Sequence, residues 1–214
     1  MGKKKKVPGI NASSTADISF ILLIFFLVTT SMDTDMGLGR TLPKPPEDET
    51  VKKEMDIKSR NLLKIKVNKG NDVLFMRDDE PALEIATVFD EKLGVRVIPK
   101  KYADIIKEKT KEFIANKEAK EGLPEVEVKK IDLMGNMPVT VNHVISVQTD
   151  VQTHYVVYFQ LQDILVAAYN ELRDELSKEK FGYTFEHLQP EQQEAVRQVY
   201  PQRISEAEPK NKAI

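Results

Sequence analysis

The chain has 214 residues, 41% hydrophobic and 31% charged, with no cysteine, no tryptophan and a formal charge of -2. That composition excludes a polytopic membrane protein, a disulfide scaffold, a collagen-like chain and a wholly disordered one. It also excludes a nucleic-acid binder, because so acidic a chain lacks the cationic surface that neutralises phosphates.

The charge is unevenly placed. Lys3 to Lys6 stand in the first sixteen residues with no acid among them, so residues 17–214 hold 28 basic against 34 acidic side chains and carry -6. An apolar run, Ile18 to Val28, follows the basic tip. Such a start is either a cleavable signal peptide or a retained anchor. After Val28 the chain offers Thr29-Thr30-Ser31-Met32 rather than the small-residue pattern of a cleavage site, so an anchor is expected. The lysines then hold residues 1–10 in the cytoplasm as a basic tail. By the positive-inside bias Asp33 to Ile214 lie on the far side, which in a bacterium is the periplasm.

Eleven apolar residues make about 16 Å of helix against a hydrocarbon core of ~30 Å. The helix must therefore extend at both ends, and a span over 11–32, about 33 Å long, is expected. Asp17 then lies roughly 9 Å inside the helix start. A carboxylate at that depth costs on the order of 2.5 to 3.5 kcal/mol in lipid and should face protein or water, which makes it a candidate proton carrier. Ala12, Ser13, Thr15, Ala16 and Ser19 are small residues of the kind that let helices approach closely. Steps of three and four from Asp17 reach Ser13, Ser14, Phe20 and Ile21. The alternative is a shorter helix capped by Ser14 or Thr15, with Asp17 in its first turn facing water.

The stretch Ile10-Asn11-Ala12-Ser13-Ser14-Thr15-Ala16-Asp17-Ile18, followed by Phe20 to Thr29, resembles the start of the ExbD/TolR family, single-pass proteins of ion-driven membrane motors. The family pattern is I-N-x-T-P-x-x-D, then an aliphatic run ending near F-x-V-T. Here Asn11, Ser13, Asp17, Phe26, Val28 and Thr29 fall in register, while Ser14 replaces the family proline, which changes a helix-starting preference rather than the chemistry. Leu42-Pro43 resembles the L-P that closes a short extended segment outside the membrane. The resemblance implies that two copies of the helix sit inside a pentamer of an ExbB-like subunit. Asp17 would carry the proton, supported by Asn11, Ser13, Ser14 and Ser19. It implies a proton-motive-force-driven inner-membrane motor that works on a TonB-like partner to energise outer-membrane transport. A TolR-like role in envelope maintenance is the sister alternative, and a signal-anchored periplasmic binding or scaffolding domain without ion conduction is the rival of a different class. Peptidoglycan is a further candidate partner.

Residues 33–58, punctuated by Gly37, Gly39, Pro43, Pro45 and Pro46, are expected to form an extended piece and a linker. The resemblance suggests that Met36 to Leu42, with Met36, Leu38, Leu42 and Pro43 as marker positions, pairs as a strand with a second copy; plain linker is the alternative. A small α/β two-layer sandwich is expected over 59–208, with a tail at 209–214. Leu63, Ile65 and Val67 alternate with polar residues, Gly70-Asn71-Asp72 supplies a turn, and Val73 to Met76 return as a hairpin. A second alternating run comprises Val139, Val141, Ile145 and Val147. The strongest helix, about Thr153 to Lys180, follows from Tyr158, Leu161, Leu165, Ala168, Leu172 and Leu176 at helical spacing. Its Tyr155, Tyr158 and Phe159 are expected to pack in the core. A lysine-rich helix is expected from Pro99 to Glu121, within an insertion at about 99–138 that the resemblance does not imply, and its lysines are expected to be a solvated face. A helix near Pro190 to Val199 and a strand around Arg203 to Ala207 are expected to complete the sheet.

His143, His154 and His187 are too scattered for a metal site, and no phosphate loop or nucleophile elbow occurs. No metal, no cofactor and no enzymatic activity are expected.

Overall fold

The computed structural model describes residues 12–29 and 58–207. The chain divides into two units, Met1–Lys44 and Pro45–Ile214.

The first unit holds one helix, α1 (Ala12–Thr29), of 18 residues. Nothing in its sequence breaks a helix, and Ser19 Oγ donates back to the Thr15 carbonyl oxygen at 2.9 Å, a bond that lets a hydroxyl sit on a helix without competing for its ladder. Among the described residues no helix is long and apolar enough to cross a membrane. The expected span runs past α1 at both ends, and Asn11 and residues 30–32 lie outside the described residues.

The second unit is a mixed α/β domain. Strands β1 (Leu62–Val67), β2 (Val73–Met76) and β3 (Leu83–Ile85) form an antiparallel meander. A small hairpin, β4 (Val88–Asp90) with β5 (Val95–Val97), leads into α2 (Lys100–Ala115). A second hairpin pairs β6 (Val126–Ile131) with β7 (Gly135–Thr140). Then come β8 (Val144–Thr149), α3 (Tyr155–Phe181), α4 (Pro190–Val199) and β9 (Ile204–Ala207). Five strands make the main sheet in the order β3-β2-β1-β8-β9, with β8 parallel to both β1 and β9.

Alternation decides which face of that sheet is covered. Leu63, Ile65 and Val67 of β1 point into the core with Val73 and Phe75 of β2 and Ile145 and Val147 of β8, whereas Lys64 and Lys66 are exposed on the opposite face. The covering layer is helical: Ile106, Phe113 and Ile114 of α2 and Val157, Leu161, Leu165, Tyr169 and Leu172 of α3 belong to the same cluster. The helix expected within an insertion is thus a principal wall of the main core. A second, smaller core joins Ile131, Met137 and Val139 of the β6–β7 hairpin to Leu176 of α3 and Ala195, Val196 and Val199 of α4.

The hairpin turn works through Asn71 rather than Gly70. Asn71 takes the left-handed conformation at φ 71°, and its buried carboxamide Oδ1 accepts the His154 amide at 2.7 Å, tying the β1–β2 turn to the start of α3.

Three local expectations change. The lysine-rich helix stops at Ala115 instead of Glu121, because Asn116 turns left-handed at φ 35° and its side chain bonds the backbone of Lys120 and Pro124. The run Val139 to Val147 is two strands in two different sheets, since Asn142 at φ 53° breaks the alternation between them. The lysines of α2 are not simply solvated: Lys107 bonds Glu171 at 2.6 Å, and Lys111 bonds Glu171 and Glu175 at 3.2 and 2.9 Å, stitching α2 to α3.

Candidate functional site

Asp17 is the one charged residue in the sequence of α1. Counting at a ~1.5 Å rise, it stands about 7 Å from the start of the helix as described. Ser13 lies one turn before it on the same side. Ser19 does not face it: two residues further on, it is turned roughly 200° around the axis, and its hydroxyl is committed to the Thr15 carbonyl. Asn11, Met36, Leu38, Leu42 and Pro43 lie outside the described residues, as does the side chain of Ser14.

What surrounds Asp17 is apolar on every side. Ile18 and Phe20 to Leu27 are each between 44% and 72% exposed within the chain itself. They follow one another without a polar break, so the helix has no solvent face to offer. A helix hydrophobic all round is one that other apolar material must cover.

The α/β unit places its polar chemistry in two groups that the sequence did not single out. The first is a guanidinium cluster. Arg77, with only 2% of its side chain exposed, is paired with Asp79, Glu80 and Glu112, and also donates to the Lys109 carbonyl at 3.1 Å. The Arg77 hydrogen bonds hold Asp79 below the usual carboxylate range against the opposing effect of burial. The Glu112 carboxyl is lowered too, first by its bond to Lys120 and then by Arg77.

The second is a buried hydrogen-bond chain through His143, which is fully buried. Thr140 Oγ1 donates to the Ile114 carbonyl at 2.7 Å, so it must accept from His143 Nδ1–H at 2.9 Å. On the other side, the Arg203 amide donates to Tyr169 Oη at 3.2 Å, and that hydroxyl donates to His143 Nε2 at 3.2 Å. Burial pushes His143 down to about 4, helped by the positive charge of Arg203. These partners are far apart in sequence, and nothing local to His143 announces them.

Tyr155 and Phe159 correct an expectation. They are 72% and 37% exposed, with ring centroids 6.0 Å apart, and do not pack in the core. The buried stripe of α3 runs instead through Val157, Leu161, Leu165, Ala168 and Leu172. Tyr158 is half-buried and donates to Glu206 on β9 at 2.7 Å. Helical periodicity locates a stripe to within a residue either way, and here the aromatic cluster begins just beside it.

A helix apolar all round with a single carboxylate, preceding a separate α/β unit, defines a class of chain in which one segment demands a partner and the other is complete in itself. The family model described as Biopolymer transport protein ExbD/TolR matches residues 3–173, taking in α1 and most of the α/β unit. The chain belongs to the ExbD/TolR family of biopolymer transport proteins. The match ends within α3, so α4 and β9 lie beyond it. Comparison with curated proteins and with solved structures gave no match.

Proposed function

We propose that this chain is the ExbD-like subunit of a proton-motive-force-driven motor of a bacterial inner membrane, and that Asp17 carries the proton. The observation that carries it is the setting of Asp17: one carboxylate in a helix whose other flank is an unbroken apolar run exposed on all sides, inside the stretch that matches the family.

In this reading residues 11–32 span the bilayer with the lysine tail in the cytoplasm, and a linker leads to the α/β unit in the periplasm. An ExbB-like pentamer supplies the covering surface around a homodimer of α1, and a TonB-like transducer receives the work. A charge that moves through the membrane field is worth ~2.3 kcal/mol per 100 mV. The neutral acid tolerates an apolar wall while the anion requires hydroxyls or water, so each protonation change alters which helix packing is favoured. That is the two-state element a motor needs. Ser13, on the Asp17 side, is the hydroxyl in α1 best placed to serve the anion.

The test is Asp17→Asn in the full chain, expressed beside its membrane partners. Energised uptake through the outer membrane should be lost, while expression and recovery with the polytopic subunit stay unchanged. Full uptake at normal expression would sink the motor assignment and leave a tethered periplasmic domain. Loss of envelope integrity with uptake intact would place the chain on the TolR-like side.

A further inference from the structure

His143 takes no part in the proposed motor chemistry, yet it stands where four elements meet: the end of α2, the end of β7, the middle of α3 and the segment entering β9. The chain of bonds through it runs in one direction. Arg203 N–H, Tyr169 O–H, His143 Nδ1–H and Thr140 O–H are the donors, and Tyr169 Oη, His143 Nε2, Thr140 Oγ1 and the Ile114 carbonyl are the acceptors. Each donor has one acceptor, and the match holds only for a neutral imidazole protonated at Nδ1.

We propose that His143 is an acid-sensitive latch: neutral, it pins the C-terminal strand β9 to the edge of the main sheet, and protonated, it lets residues 201–207 leave β8.

A proton added to Nε2 turns the central acceptor into a donor. Tyr169 O–H then loses its acceptor, in a site with no water to replace it. The link that fails is the one reaching β9. Arg203 is held at both backbone groups, its N–H by Tyr169 and its C=O by the Ile145 amide at 2.9 Å. Beyond it β9 is a four-residue edge strand, paired only to β8 from Ile204 to Ala207. Such a strand has little else to keep it in place.

The groups facing the ring leave it no compensating anion. From α3 comes Tyr169, whose phenol burial pushes up to about 12, so it stays a donor at any relevant pH. Arg173, on the same helix, is committed to the Tyr200 carbonyl at 2.9 and 3.2 Å. From the segment entering β9 comes Arg203, whose positive charge disfavours an imidazolium. α2 presents the ring of Phe113, edge-on at 6.4 Å between centroids. The backbone of Thr140 and Pro201 favours the charged form, but burial outweighs it. Glu206, further along β9, accepts from Tyr158 and Gln162 and is the one other group on that strand whose protonation could loosen it. In the released strand the imidazole meets water and regains its ordinary affinity for protons, so acid favours release.

The experiment is amide hydrogen exchange on the full chain at pH 7 and pH 5, expressed as protection relative to the unstructured rate at each pH. Protection over 203–207 should fall by about tenfold between the two, while β1 and α3 keep theirs. His143→Gln, which can donate to Thr140 and accept from Tyr169, should remove the pH response. Glu206→Gln should leave it in place. Unchanged protection in the wild type, an equal fall in every strand, or a response abolished by Glu206→Gln would each overturn the latch. Should His143→Gln fail to fold, the imidazole of the wild type can be titrated directly, and ordinary titration near 6.5 would overturn it equally. None of these outcomes bears on Asp17.

Discussion

The two described regions solve opposite problems with their apolar residues. In the α/β unit Leu63, Ile65, Phe75, Ile145, Leu161 and Leu165 each disappear into a core their own chain provides. In α1 nine consecutive large apolar side chains but for Ser19, from Ile18 to Leu27, remain open. The same residue types, Leu, Ile and Phe, are satisfied in one place and left wanting in the other. Amphipathic spacing lets a helix finish its burial inside one chain. A run without spacing passes that task to other molecules.

This contrast can be broken at several points. The largest effect is expected from Asp17→Asn, which should abolish energised uptake and leave the denaturant midpoint of the α/β unit untouched. A shift in that midpoint would mean that the two units do not keep separate accounts of stability. In the other direction, Leu165→Ala removes a fully buried side chain from between α3 and the sheet. It should destabilise the domain by about 3 kcal/mol in urea or guanidinium melts without altering recovery of the chain with its membrane partners.

Acid provides the next test. The folded-state value of His143, about 4, lies below the ~6.5 of the unfolded chain, so the unfolded state takes up its proton first. Stability should therefore fall as pH drops through about 6.5 and level off near the folded value, by about 3 kcal/mol in all from this group. Glu171, Glu175 and Asp79, all lowered by their basic partners, add a further loss at more acid pH as they in turn are protonated. His143→Gln should flatten the first window and spare the second. Smallest is Lys111→Met. Its two glutamates sit near the surface, and the loss should be below about 1 kcal/mol and shrink further in high salt.

How much of this was legible depends on how local the signal is. The β1–β2 hairpin, α3, α4 and β9 could be placed because alternation, helical spacing and Pro190 at a helix start act over a few neighbours. The failures occur where one residue takes an unusual backbone conformation. Asn116 ends α2 and Asn142 splits β7 from β8, and an asparagine in a polar stretch gives no notice that it will turn left-handed. The lysines of α2 look solvated until the glutamates of α3, some sixty positions away, are brought against them. Asp17 was visible because a charge beside an apolar run stands out in one dimension. His143 was not, because its partners Thr140, Tyr169 and Arg203 converge only in three dimensions.

The parallel pairing of β1, β8 and β9 also has a mechanical side. β1 is the first strand of the unit and β9 the last, and both run the same way as β8. A pull applied where the chain enters β1 and where it leaves β9 therefore draws these strands lengthwise past one another. The rungs between them are loaded together in shear rather than opened one at a time, as they would be if the two ends of the antiparallel β1–β2 hairpin were drawn apart. Tension along the chain would meet the sheet in its stiffest direction.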